Sequence, residues 1–284
     1  MVRDQLDGNG NELWSGVRDE AGCLRVLQLT DIHLFGDSRS RLVGVDTEAS
    51  FADVMDGVLS RCWPVDLILL TGDIVHDGSE RGYRRLKCQL EDLAVRTLVI
   101  PGNHDDPEVM RRVFSKGRVT CSGNAVLGNW QFVMLDSCVP GQAGGRLSER
   151  QLGLLERYLG GHPDSHALVC VHHQPVPVGS HWIDRIGIEN ADQFLAVLDR
   201  HYNVRGVLWG HVHQRFEQQR RGVRLMSTPS TSVQFRPGSD GFEVDGAAPG
   251  YRWLKLYPDG RMVSEVQRLD AHRDGLDLEC SGYR

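Results

Sequence analysis

No apolar run in the 284-residue chain approaches the ~20 residues that a membrane-spanning helix needs, so no span and no membrane partner are expected. The segment from Met1 to Asp19 is polar and carries acids, without the apolar stretch of a secretion signal. An excess of positive charge is missing too. With 32 basic against 38 acidic residues the net charge is −6, which argues against broad adhesion to nucleic acid, whose phosphates call for a basic surface. Cys23, Cys62, Cys88, Cys121, Cys138, Cys170 and Cys280 form no C-x-x-C pair and are odd in number. They read as reduced thiols of a cytoplasmic protein, not as a disulfide framework. Internal repeats and low-complexity tracts are also lacking. A hydrophobic share of 40% beside 25% charge is the balance of a chain that builds a core.

What is present is a series of short aliphatic runs, each ending in a polar cluster. Leu24–Thr30 ends in Asp31-Ile32-His33, Asp66–Thr71 in Gly72-Asp73, and Thr97–Ile100 in Pro101-Gly102-Asn103-His104-Asp105. Gln131–Leu135 ends in Asp136-Ser137, Ala167–Val171 in His172-His173, and Arg205–Trp209 in Gly210-His211-Val212-His213. Runs this short, bounded by turn residues, predict buried strands. Helical spacing appears in Glu48–Cys62 (Phe51, Val54, Met55, Val58, Leu59) and in Ser79–Ala94, with Ser79 as N-cap. It recurs in Ser148–Leu159 and Asn190–His201. Alternating strand and helix implies a parallel sheet in the first half. Val223–Thr228, Tyr251–Tyr257 and Met262–Val266 then read as strands without helices, the last two joined through Pro258-Asp259-Gly260. The expected fold is α/β, a two-sheet αββα sandwich of mixed sheets. Its single domain spans 23–270, with a loose arm at 1–22 anchored by Trp14 alone and a tail at 271–284.

In open α/β sheets ligands gather at the carboxyl ends of strands, and those ends hold Asp31, His33, Asp73, Asn103, His104, His172, His211 and His213. Carboxylate, imidazole and amide oxygen suit borderline divalent metals. One ion cannot use so many donors, whereas two ions sharing a carboxylate can, and such a pair clamps both oxygens of a phosphoryl displacement. Asp31 and His33 are two apart and expected on extended chain, projecting to one side, as are His211 and His213. Gly72, Gly102 and Gly210 fit turns where backbone passes close to the site.

Asp-x-His, Gly-Asp, Gly-Asn-His-Asp, a later His and Gly-His-x-His, in that order over 31–213, resemble the signature of the calcineurin-like metallophosphoesterases. A finer resemblance runs through Leu29–Phe35, His172–Pro175, Thr228–Phe235 and Ala248–Arg252, which look like the bacterial class III 3′,5′-cyclic-AMP phosphodiesterases. That resemblance implies one metal on Asp31, His33, Asp73 and His213 and a second on Asp73, Asn103, His172 and His211, with Asp73 bridging. It prefers His172 over His173 and implies iron or manganese. The expected reaction is hydrolysis of cyclic AMP to AMP by a water or hydroxide between the ions. His104 is placed as the acid for the leaving oxygen or as a partner of a phosphate oxygen, oriented by Asp77. Substrate contacts are expected from His33, Asp73, Asn103, His104 and His213. Gln174, where some relatives have His or Pro, departs from the pattern beyond the ligand.

Other residues carry weaker expectations. His181-Trp182 either lines a base pocket or packs an ordinary loop, His173 either supports the site or does not, and Asp136 either caps or supports the site or is a simple turn residue. Thr228–Phe235 is either a substrate-side loop, which the resemblance favours, or an irregular strand connection. Arg220, Arg221 and Arg224 read as a solvated hairpin face, and His76, His162, His166, His201 and His272 as solvated. The alternative function is a broader phosphodiesterase or phosphatase of the same fold. A phosphatase meets a dianion and usually adds Arg near the metals, and none follows Gly-Asp in Ile74-Val75-His76-Asp77. Oligomeric state leaves no mark on the sequence.

Overall fold

The computed structural model describes residues 5–6, 12–14, 22–271 and 275–282. Most of the stretch read as an arm, His272 and the last two residues of the tail lie outside the described residues. The chain opens with β1 (Gln5–Leu6) and β2 (Glu12–Trp14). Strand and helix then alternate as β3 (Leu24–Leu29), α1 (Thr47–Arg61), β4 (Leu67–Thr71), α2 (Glu80–Asp92), β5 (Thr97–Ile100), α3 (Pro107–Val113) and β6 (Val119–Thr120). Next come β7 (Asn124–Leu127), β8 (Trp130–Met134), α4 (Glu149–Gly161), β9 (His166–Cys170), α5 (His181–Asp184), α6 (Ala191–Leu198) and β10 (Val204–Trp209). The end is nearly all strand: β11 (Phe216–Arg220), β12 (Val223–Ser227), β13 (Gln234–Phe235), β14 (Val244–Asp245), β15 (Gly250–Leu256) and β16 (Met262–Arg268).

These strands form two large mixed sheets, with orders β16-β15-β3-β4-β5-β6 and β1-β2-β7-β8-β9-β10-β12-β11. Strand alternation explains why they stack. In β4, Leu67 and Leu69 face the other sheet, while Ile68 and Leu70 face α1 and α2. The inter-sheet layer is completed by Phe132, Leu168 and Leu208 from the second sheet, whose outer side is covered by α4 and α6. The αββα sandwich expected from the sequence is the observed fold. No described helix is long and apolar enough to cross a membrane.

Helix starts follow local chemistry. Asp46 caps α1 by accepting from Ala49 N, Asp106 caps α3 from Glu108 N and Val109 N, and Ser148 caps α4 from Gln151 N. Ser79 occupies the N-cap of α2 without a side-chain cap bond. Leu59 departs from its assignment to the apolar face of α1: it is 44% exposed, because Phe51, Val54, Met55 and Val58 set the buried stripe and Leu59 lies on its flank. Nothing in the sequence marks strand β11, since Phe-Glu-Gln-Gln-Arg is a largely exposed polar edge without alternation. Arg220 and Arg221 pair there with Asp199, and Arg224 with Glu217, so the basic cluster is neutralised locally.

Candidate active site

The carboxyl ends of β3, β4, β5, β9 and β10 meet along one rim of the sandwich. The chain leaves β3 and β10 in the same unusual way. Asp31, His33, Asp73, His211 and His213 all have φ between 49° and 63°, in the left-handed region that non-glycine residues seldom occupy. The expectation of extended chain at both pairs is therefore corrected. What carries Asp31 and His33 to one side is a left-handed residue at every second position. Backbone bonds from Asp31 N to Gly72 O and from His33 N to Asp73 O hold that path. Such backbone costs about 1–3 kcal/mol per residue and persists where surrounding structure over-determines it.

The side chains so aimed converge. Asp73 Oδ2 lies 3.8 Å from His33 Nε2 and 3.4 Å from His172 Nε2. His213 Nε2 stands 3.3 Å from Asp31 Oδ1 and 3.4 Å from His33 Nε2. Asn103 Oδ1 is 3.3 Å from His172 Nε2. Glycine is required where the turns pass behind: a Cβ on Gly102 would collide with the Asp73 carboxylate, and one on Gly210 with Thr30 and Asp31. Burial works to raise the Asp73 carboxyl, but the positive charge of His172 and His104 outweighs it and holds the group well below the usual range. Burial correspondingly opposes the charge on His172, while Asp73 overrides it and lifts that imidazole to about 9.

The far side of each ring is fixed. His172 Nδ1 donates to Thr71 O (2.8 Å) and His213 Nδ1 to Val233 O (2.7 Å), which turns both Nε2 atoms inward. His173 differs, with Nδ1 2.8 Å from Ser137 Oγ and Nε2 3.2 Å from Ala143 O. Burial and the neighbouring His172 push it down to about 3, so it is a neutral brace. The Thr228–Phe235 stretch grips the back of Asp31, whose carbonyl accepts from Ser230 Oγ (2.7 Å) and Ser232 Oγ (3.2 Å). The Phe235 ring lies flat on His213, 4.1 Å away and 9° from parallel.

The family model of the calcineurin-like phosphoesterases matches residues 24–215, more than half of the chain. The chain belongs to this family. Among curated relatives, a 3′,5′-cyclic adenosine monophosphate phosphodiesterase CpdA of Pseudomonas aeruginosa is 41% identical, covering 91% of this chain and 94% of the relative. A 3′,5′-cyclic-nucleotide phosphodiesterase of Nostoc is 37% identical over 87% of the chain and 92% of its own length. Of solved structures, a dimetal phosphatase from Danio rerio superposes with a TM-score of 0.60 at 16% identity, over 86% of this chain and 98% of that one, a likeness of fold.

Calcineurin-like phosphoesterases use a dinuclear metal centre, and the residues here fit one. His211 Nε2 is buried with no hydrogen-bond partner, and its imidazole is held neutral by burial and by the charged His172, leaving a lone pair for a cation. The converging donors are nitrogen and oxygen, and among the described residues two of their groups, Asp31-His33-His213 and Asp31-Asp73-His172, share Asp31.

Several parts of this calcineurin-like site were not read from the sequence. His76, expected to be solvated, is half-buried: its Nδ1 is 3.1 Å from His33 Nδ1, and its ring stacks on His104 at 4.3 Å. It carries no periodic or motif signal. Asp105 ties two loops together, accepting from Ile74 N, Val75 N, Gly102 N and Tyr83 Oη. Asp77 does not orient His104, because its carboxylate is taken by Gly36 N and Ser79 N. The backbone N–H of His104 donates to Asp73 Oδ1 (2.8 Å). Asp136 caps its own turn by accepting from Cys138 N. His166 is held by Pro258 O and His201 by Glu156, while His162, half-buried, ends α4, so none of the three is freely solvated. Trp182 lines the cavity above the cluster; His181 is exposed and pairs with Asp240.

Proposed function

We propose that the chain hydrolyses the phosphodiester bond of 3′,5′-cyclic AMP to give AMP. The observation that carries this reading is the position of Asp73 Oδ2, 3.8 Å from His33 Nε2 and 3.4 Å from His172 Nε2. One carboxylate oxygen thus faces two donor sets. Asp31, His33, Asp73 and His213 would hold one cation, and Asp73, Asn103, His172 and His211 the other, with Asp73 shared. The donor set suits iron(II) or manganese(II). When bound, the cations supply Lewis acidity toward the phosphoryl oxygens and acidify a water to near neutral pKa. The relatives' names support the substrate, as do the Thr228–Phe235 stretch, which buttresses Asp31 and His213, and Ala248–Arg252, whose Gly250 N donates to Ser230 O; both lie beyond the family match. Seven free thiols support a cytoplasmic location.

The chain's own groups divide the work. His104 is anchored by its backbone on Asp73 and by its ring on His76, and it lines the cavity. It delivers a proton to the ribose oxygen that leaves phosphorus. An imidazole suits this, since the best acid has a pKa near the working pH. Asn103 offers its amide N–H to a phosphate oxygen, and His33 and His213 border the same phosphate. A cyclic diester carries one negative charge, so the cations and His104 can balance it without an arginine. The test is kcat/KM for cyclic AMP beside 2′,3′-cyclic nucleotides and aryl diesters, with metal content measured on the same sample. Strong preference for 3′,5′-cyclic AMP and about two ions per chain are expected. Preference for aryl or 2′,3′ diesters would replace this with the broader phosphodiesterase reading.

A further inference from the structure

The cavity above the cluster, about 410 Å³, has two unlike halves. One is formed by Asp73, Asn103, His104, His211 and His213, where a phosphate belongs. The other is formed by Trp182, Ile183, Ile186 and Phe235, together with Gly141, Gln142 and Ala143. A nucleotide whose phosphate sits on the first half must place its base against the second.

That apolar half is held in advance. His181 N donates to Ser239 O (3.0 Å), Trp182 Nε1 to Ser239 Oγ (3.1 Å), and Gln174 Nε2 to Ile183 O (2.6 Å). The Trp182 ring meets Phe235 and Phe242 edge to face, at 5.1 and 5.4 Å. Opposite, His173 pins the backbone of Ala143. The consequence for recognition is chemical. The indole N–H is already spent on Ser239, so Trp182 presents ring and not donor. Ile183, Ile186 and Phe235 offer no polar atom, and Gln142, the polar side chain in that wall, is exposed.

We propose that this half is a nucleobase subsite that recognises a purine by stacking and apolar contact, with no buried edge-reading side chain, so that adenine and guanine are accepted nearly alike. The subsite rests on the cyclic-nucleotide reading for its ligand class. Discrimination of four or five orders of magnitude needs buried polar groups that the wrong base would leave unpaired, and the side chains of this wall supply none. Stacking on an aromatic ring is sequence-tolerant because every base has a π face, and its loss costs roughly 5- to 150-fold in affinity.

The experiment measures two things on the protein as purified. Isothermal titration with adenosine and with guanosine, which lack phosphate, reports the apolar half alone. The ratio of kcat/KM for cyclic AMP and cyclic GMP reports it during turnover. Both pairs are expected to agree within about tenfold. Trp182→Ala should weaken adenosine binding by roughly 5- to 150-fold and raise KM more than it lowers kcat, and Trp182→Phe, which keeps a ring, should restore most of the affinity. Undiminished adenosine binding in Trp182→Ala, or a hundredfold preference between the two bases, overturns the subsite. Adenosine binding that depends on Trp182, in a protein that leaves cyclic AMP intact, upholds the subsite and rejects the proposed reaction.

Discussion

At the residue scale, His104 and His76 separate two kinds of contribution. His104→Ala should leave metal content unchanged and lower turnover by roughly 10²- to 10⁴-fold, the usual worth of a general acid; metal analysis and kcat on one sample check it. His76 acts through others. Its Nδ1 faces His33 Nδ1 and its ring supports His104. Outer partners of this type change metal affinity or activity by roughly 10- to 100-fold when removed. His76→Ala should therefore weaken metal retention in a chelator competition, whereas His76→Gln, whose amide oxygen can accept from His33 Nδ1–H, should recover part of it. The candidate ligands were legible in the sequence because their residue types and strand-end positions speak of metals. His76 was not, because an imidazole that braces another imidazole leaves no spacing rule behind.

Among the elements, two of the loops between strands and helices are joined by one half-buried carboxylate. Asp105 accepts three backbone N–H groups and a tyrosine hydroxyl, so Asp105→Ala strands several buried donors at about 1–3 kcal/mol each. A fall in Tm is expected, with loss of activity, because the Gly-Asp and Gly-Asn-His loops lose their common clamp. A second network lies under β15. Arg252 is fully buried and binds Glu217 Oε1 (3.0 Å), Ser264 Oγ (2.7 Å) and Ser227 O (2.8 Å). Burial works to raise the Glu217 carboxyl, but the bond and charge of Arg252 prevail and lower it. A depressed acid contributes stability that is present above its unfolded pKa, about 4.3, and lost as pH falls through its lower folded value. Denaturant midpoints should drop below about pH 4 in the wild type, and that acid step should shrink in Glu217→Gln. Strands with two buried faces were legible, as in β4 and β9. The polar edge β11, the two-residue strands and the left-handed turns were not, since neither alternation nor length marks them.

For the whole molecule, the site exists because two sheets end side by side. Asp31, Asp73 and Asn103 follow strands of one sheet, and His172 and His211 follow strands of the other. Any ion bound by the folded state alone adds stability in proportion to its affinity and concentration. Chelator treatment should thus lower Tm and abolish turnover together, with manganese(II) restoring both; an unchanged Tm would count against cations held between the sheets.

The same arrangement makes the rim a caliper on the layer beneath it. Donors mounted on opposite jaws can share an ion only while the jaws keep their spacing, and that spacing is set by Leu69, Phe132, Leu168 and Leu208 in the layer between the sheets. Trimming one of them, as in Phe132→Leu, would let the jaws settle by a fraction of an ångström. Catalysis should register that change well before the fold does.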